Sequence, residues 1–314
     1  MPLPSDERII QLANDLLPQI DALFGGPHGG FRAVHAKGIM LSGTFTPAAE
    51  AASLSRAPHL TRKSTPVTVR FSNATGIPLI PDNDPNANPK GFAIRFHLAD
   101  RVHTDIVSHS TDGFPTRTGA EFLDFLRAVA SGDPSSFLAA HPAAVAFIQA
   151  PKPYPASFAT EAYFGVTAFR FTNDQGVTRH GRYRIVPDAG VQHLDDATAK
   201  SKGANYLFDE ISQRVSAAPI RFDIHVQIAN DGDKVDDATM HWPEDRRVVH
   251  LGTVLLRGVA PDDEQHRRII CDPIPRVDGI DPSADPLLEL RAAIYLLSGR
   301  RRRTAYESQG RSQS

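Results

Sequence analysis

The chain of 314 residues has a single cysteine, Cys271. An intramolecular disulfide and any Cys-rich zinc or iron–sulfur site are therefore excluded, and a reducing compartment fits. A net electrostatic field is lacking too: 34 lysines and arginines face 36 aspartates and glutamates. A nucleic-acid partner calls for a basic surface, and the only dense positive run is 300–303. No stretch reaches the roughly 20 apolar residues of a membrane span. The start, MPLPSDERIIQLANDLLPQ, carries acidic residues where a signal peptide needs a basic lead and an apolar core. Nor is there a repeat, a low-complexity block or an interdomain linker. These absences point to a soluble, cytoplasmic, single-domain protein spanning 1–314, with frayed ends at 1–4 and 304–314. It neither inserts into membranes nor binds nucleic acid.

What is present is an ordinary hydrophobic fraction, 41%, arranged in two periods. Residues 5–24 read as an amphipathic helix opened by Ser5 and Asp6, with Ile9, Ile10, Leu12, Leu16 and Leu17 along one stripe. GGPHGG ends it, and FRAVHAKG follows in extended form. Period-two segments then take over. VTVRF puts Val67, Val69 and Phe71 on one face, and FAIRF does the same with Phe92, Ile94 and Phe96. Further strands are expected at 102–108, 164–172, 180–186, 221–229 and 248–257, and helices at 119–131, 134–148, 196–215 and 285–298. Strands separated by irregular loops, with helices bunched between and after them, favour an α+β fold with an antiparallel sheet. About eight strands suffice to close a barrel.

Several short stretches carry candidate chemistry. His35, in FRAVHAKG, has an ordinary pKa near neutrality that suits proton transfer, although a lone histidine among apolar neighbours is more often a hydrogen-bonded core residue. Arg70 and Ser72, in VRFSNATG, alternate with Val69 and Phe71 and read as outward polar residues of a half-buried strand. In RVHTDIVSHS, His103, Asp105 and His109 share one face. Two-residue spacing sets them about 7 Å apart along a strand, too far for three to meet one ion easily, so a polar strand edge is favoured over a metal site. In RAAIYLLSGRRRR, Arg291 and Tyr295 stand at i and i+4 on the last helix, so the guanidinium reaches the phenol. A nearby cation favours phenolate, and tyrosine is a known haem-iron ligand. Taken alone, the pair reads better as a surface arginine packed over a ring.

Together and in this order, these stretches resemble the haem catalase family, specifically its short branch of catalase-related or "minimal" peroxidases. The resemblance covers about 25–303. RAVHAKG is similar to the segment with the essential distal histidine, implying that role for His35. VRFS resembles the strand whose serine supports that histidine and whose arginine binds a haem propionate, implying Ser72 and Arg70. DPNANPKGFAIRF resembles the family's next strand. RAAIYLLSGRRR carries the proximal R-x-x-x-Y, making Tyr295 the implied iron ligand with Arg291 holding it as phenolate. By offset, Arg32 and Arg302 fall on two further propionate-binding arginines. Val34, Phe114 and Phe122 are the implied apolar neighbours of the cofactor.

The resemblance implies an antiparallel β-barrel of about eight strands with helices packed around it, lacking the carboxy-terminal domain of long catalases. The implied cofactor is haem, of the b type. The implied reaction is reduction of organic hydroperoxides and hydrogen peroxide by a small organic electron donor, with weak catalase activity. Rival readings are an allene-oxide-synthase-like rearrangement of hydroperoxides and a haem-storage protein without turnover. DIVSHSTDGFP aligns with the segment supplying the distal asparagine, yet this chain has His109 there, which counts against high catalase turnover. Shortened arm-exchange segments leave room for a homodimer or other small homo-oligomer.

Overall fold

The computed structural model describes residues 2–262 and 264–311. Eight strands form a closed antiparallel barrel: β1 (Gly38–Pro47), β2 (Thr65–Ser72), β3 (Gly91–Ala99), β4 (Val102–His109), β5 (Tyr163–Phe164), β6 (Thr178–Pro187), β7 (Ile220–Ile228) and β8 (Val248–Val259). They pair in the circular order β7-β8-β1-β2-β3-β4-β5-β6, and β6 returns to β7 to close the ring. Strands Phe169–Thr172 and Ile280–Pro282 extend the sheet beyond β6.

The strand alternation explains the interior. Val69 and Phe71 of β2, Phe92 and Ile94 of β3, and Phe222 and Ile224 of β7 point inward and are buried. The Phe71 and Phe92 rings meet edge to face at 5.3 Å between centroids, and Phe158 stacks on Phe71 at 5.3 Å. Each such phenylalanine removes enough apolar surface from water to contribute roughly 2 kcal/mol. The interior is thus a packed core, which leaves only the outer faces for chemistry.

Three helices cover one outer face. Helix α1 (Glu7–Leu23) is capped by the Asp6 carboxylate, which accepts from the Arg8 backbone N–H at 2.9 Å. Helix α2 (Gly119–Ala130) opens with a reciprocal capping box between Thr118 and Glu121. Helix α3 (Leu287–Arg311) has its start held by Asp285, which accepts from the Leu287 N–H at 2.9 Å. Leu16, Leu17, Leu123, Leu290 and Ile294 from these three helices form a second apolar cluster. Among the described residues, no helix is long and apolar enough to cross a membrane.

Several boundaries differ from expectation. The helix expected at 134–148 is two helices, Ser135–Ala140 and Pro142–Gln149, because Pro142 cannot continue the first. The one expected at 196–215 divides into Asp196–Ser201 and Tyr206–Ala217 around Gly203. The strand expected at 164–172 divides into Tyr163–Phe164 and Phe169–Thr172. Strand β1 was not marked by the sequence pattern at all, since its serine, threonines and glycines blur the alternation. The last helix runs past 298 and through most of the expected frayed end to Arg311. Tyr306 anchors that extension, donating its phenol O–H to the Gly30 carbonyl at 2.8 Å. At the other end Leu3 packs on the helical cluster, while Met1 and 312–314 lie outside the described residues.

Candidate active site

The segment between α1 and β1 is not extended: it bends repeatedly, and His35 adopts a left-handed backbone with φ of 57°. Such a conformation is uncommon for a residue with a side chain and persists only where the surroundings impose it. Here they do. The His35 N–H donates to Ala74 O at 2.9 Å, Ala36 N–H to Thr75 O at 2.9 Å, and Asn73 N–H to Lys37 O at 3.1 Å. Behind this ladder lies the fully buried Asp82. Its carboxylate accepts from Lys37 Nζ at 2.7 Å, Asn73 Nδ2 at 2.8 Å and the Leu207 N–H at 2.9 Å. Lys90 Nζ in turn donates to Asn73 Oδ1 and to the Asp82 carbonyl, each at 3.0 Å.

Strand β2 supplies the histidine's partner, with Ser72 Oγ 3.1 Å from His35 Nδ1. Ser72 and Arg70 were expected to face outward as ordinary surface polarity. They do leave the barrel interior, but both are buried, because the His35 arm and the helices cover that wall. The close approach requires glycine on β3. A Cβ at Gly91 would lie 2.6 Å from Ser72 Oγ and 2.8 Å from His35 Nδ1. Gly38 is constrained in the same way, since a Cβ there would overlap the Arg70 guanidinium.

Helix α3 forms the facing wall. Arg291, Tyr295, Ser298 and Arg302 recur at intervals of four, three and four, which align them on one helical face. Arg291 Nε and Nη2 both donate to the Tyr295 phenol oxygen at 3.4 Å, and Nη1 donates to Thr167 Oγ1 at 3.4 Å. Ser298 Oγ accepts from the Ala33 N–H at 3.2 Å and ties this helix to the histidine arm.

Arg32, Arg70 and Arg302 converge at one end. Arg32 donates to Ile269 O at 2.9 Å, and Arg70 to His35 O at 2.8 Å and Ala36 O at 3.2 Å. Arg302 donates to Arg267 O at 2.6 Å and to Ile269 O at 3.3 Å. Among the described residues none of the three meets a carboxylate, and Arg302 Nε is buried without any partner. Burial pushes all three below the usual arginine range, with Arg95 repelling Arg32, and Arg32 repelling both Arg70 and Arg302, the last lowered to about 9. Burying cations without counter-charge costs several kcal/mol per ion. The arrangement therefore suits a ligand that brings anionic oxygens to this edge.

His109, at the end of β4, completes the roof. Its Nδ1 accepts from the Thr111 N–H at 3.3 Å, so a neutral ring must carry its proton on Nε2. Burial, with Arg291 close by, lowers its pKa to about 4, and burial beside Arg70 lowers that of His35 to about 3. Both imidazoles are neutral at pH 7. Phe114 and Phe122 pack at 5.0 Å between centroids on the flank.

All eleven residues singled out in the sequence as catalytic, iron-binding or cofactor-binding line one cavity of about 260 Å³, together with apolar Val107, Val166, Leu290 and Ile294. The three arginines also border a second cavity of about 690 Å³ on their far side. His103 and Asp105 stand apart. Asp105 is not a strand-edge residue but a buried carboxylate held by Arg95 through two hydrogen bonds of 2.8 Å. Gly38, Gly91, Asp82, Lys90, Thr167 and Ser298 were missed. The two glycines alone left a signal, each standing at the start of a strand, where glycine marks close backbone approach.

This donor set fits haem: a phenol on one wall, an imidazole with its hydroxyl on the other, apolar sides between them, and unneutralised guanidiniums at the end where two carboxylates would lie.

The family model described as Catalase matches residues 30–309. The catalase-related peroxidase of Mycolicibacterium paratuberculosis is 36% identical over 292 residues, covering 89% of this chain and 92% of that one. That of Synechococcus elongatus is 32% identical over 298 residues, covering 91% and 87%. A fungal catalase crystal structure superposes with a TM-score of 0.77 at 21% identity, covering 90% of this chain but 61% of that one. The chain thus spans about three-fifths of the solved catalase and nearly the whole of the shorter relatives.

Proposed function

The chain belongs to the catalase family, whose members bind haem, and on that premise we propose that it is a haem-dependent peroxidase. It reduces organic hydroperoxides and hydrogen peroxide at the expense of a small organic donor. One observation carries this reading: the His35–Ser72 pair and the Arg291–Tyr295 pair face the same cavity from opposite walls. A storage protein needs the second pair and the arginines but not the first.

Tyr295 would hold the iron, with Arg291 supplying the positive charge that balances a phenolate. Arg32, Arg70 and Arg302 would hold the carboxylates, and Val34, Phe114 and Phe122 the ring. The proposed cofactor is haem b, and one cysteine cannot make the paired thioethers of a C-x-x-C-H attachment, so the haem would be held without such links. When bound, haem supplies the iron at which the O–O bond is cleaved and the redox equivalents for that cleavage. The remaining chemistry is proton handling. His35 is neutral at working pH, and with Nδ1 occupied by Ser72 its Nε2 is the nitrogen free to act. It takes the hydroperoxide proton and returns it to the departing oxygen, a service worth roughly 10² to 10⁴ in rate. His109, its proton on Nε2, presents a second donor to the peroxide where the family's long members use an asparagine amide.

The test is product analysis with the haem-loaded protein, a fatty-acid hydroperoxide and a donor dye. Stoichiometric alcohol and oxidised dye are expected. Rearranged lipid with unoxidised dye would show an allene-oxide-synthase-like reaction instead, and no consumption of hydroperoxide would leave only haem binding.

A further inference from the structure

The wall of the barrel opposite the cavity carries a second cluster that the peroxidase chemistry does not use. Cavity residues come from β2, β3 and β4, whereas Asp223 and His225 lie on β7 and His250 on β8, which is about half the ring away. On β7 the inward residues are Phe222, Ile224 and Val226, so Asp223 and His225 project outward.

A bulge builds the cluster. Thr253 stands opposite Asp223 and Gly252 opposite Ile224, so unbroken pairing would set Leu251 opposite His225. Instead the register slips by one residue, Leu251 turns into the core, and His250 takes the place opposite His225. Gly252 makes this possible with a φ of 148°, a conformation that favours glycine. The slip exchanges an outward leucine for a second imidazole beside the first, and the two rings lie 4.9 Å apart.

Among the described residues, this is the one trio of histidine and carboxylate side chains whose ligand atoms all fall within 4.8 Å of one another. His250 Nε2 lies 3.4 Å from Asp223 Oδ1, yet it is buried and makes no hydrogen bond. Two ligands held about 2.0–2.1 Å from one ion at the tetrahedral angle stand roughly 3.3 Å apart, so this pair already has the required separation. Supporting groups surround it. Thr253 donates its hydroxyl to Asp223 Oδ1 at 2.6 Å, and Glu50 accepts from the His250 N–H at 3.0 Å. Two imidazoles with the Asp223 carboxylate, and the Glu50 carboxylate behind them, form a donor set matched to a dication.

We propose that Asp223, His225 and His250 form a divalent transition-metal site of the zinc class that cross-links β7 and β8 on the wall opposite the haem cavity. Two nitrogens and one oxygen suit zinc better than calcium or magnesium, which take all-oxygen shells. Three protein ligands leave a fourth position for water.

The probe is zinc chloride. The haem-loaded protein is dialysed against micromolar zinc beside the His225→Ala/His250→Ala double variant, with zinc and iron both counted by mass spectrometry. One zinc per chain is expected in the unaltered protein and none in the double variant, with iron equal in both. Asp223→Asn replaces a charged ligand by a neutral amide and should weaken zinc binding by more than the roughly 10-fold that loss of a supporting outer-shell group costs. Zinc should raise the unfolding temperature of the unaltered protein and leave that of the double variant unmoved. Equal zinc in both proteins, or none in the unaltered one, would overturn the site. Should the double variant not fold, His225→Gln replaces it, with the same zinc and iron counts deciding.

Discussion

At the scale of single residues, the site depends on atoms placed within tenths of an ångström. His35→Ala should retain haem, because Tyr295 and the arginines are untouched, yet lose roughly 10² to 10⁴ in hydroperoxide turnover. Near-normal turnover in a haem-replete variant would remove the proton-transfer role. Ser72→Ala deletes one hydrogen bond of about 1 kcal/mol and should cost roughly fivefold in the same assay. Gly91→Ala is the sharper test of geometry, since its methyl would press on both Ser72 Oγ and His35 Nδ1. It should fall below Ser72→Ala in turnover even though it removes no functional group. His109→Asn keeps an N–H donor and should stay active, whereas His109→Phe should lose turnover while binding haem equally. Equal activity of the two would deny His109 any part in holding peroxide.

At the scale of elements, the decisive unit is the arm that bends His35 into the cavity. Asp82 holds it through Lys37, Asn73 and the Leu207 N–H, and none of these lines the cavity itself. Asp82→Ala removes the carboxylate paired with the part-buried Lys37 and the counter-charge nearest the buried Lys90, and should cost about 3–5 kcal/mol in denaturant unfolding. A loss under 1 kcal/mol would contradict the part given to this network. The arm also marks where sequence reasoning stops. The motifs around His35, Ser72, Arg70 and Tyr295 were legible because they are short, ordered and chemically specific, and the barrel was legible from strand alternation. The bend at His35 was not. Its φ of 57° comes from backbone bonds to 74 and 75, which no local pattern encodes. Strand β1 was hidden for a related reason: it is defined by its pairing with β2 and β8 rather than by any clean alternation of its own. Likewise the long extension of α3 beyond Ser298 rests on Tyr306 reaching Gly30, a contact 276 positions apart in the chain.

At the scale of the whole molecule, burial of ionisable groups sets the response to pH. His35 and His59 have pKa values near 3 and His109 near 4, all lowered chiefly by burial, against an ordinary value of about 6.5. Below the ordinary value, the unfolded chain takes up protons that the fold refuses. The contribution of these histidines should therefore be full above about pH 6.5 and fall as pH drops, by up to roughly 1.4 kcal/mol per pH unit for each. Denaturant unfolding of the haem-loaded protein at pH 7 and pH 5 checks the sign, and equal stabilities would contradict it. The barrel divides the molecule into an apolar interior and two unlike outer walls. One wall gathers helices, arm and arginines around the cavity, and the other carries the bulged Asp223–His225–His250 cluster. The claim on which the rest depends is that the first wall holds haem in a reactive form. The most direct measurement is the visible absorption spectrum during haem titration, followed by one equivalent of organic hydroperoxide and then an electron donor. A saturable Soret band that shifts with hydroperoxide and returns with the donor is the predicted result. No Soret band at saturating haem, or one indifferent to hydroperoxide, would contradict it.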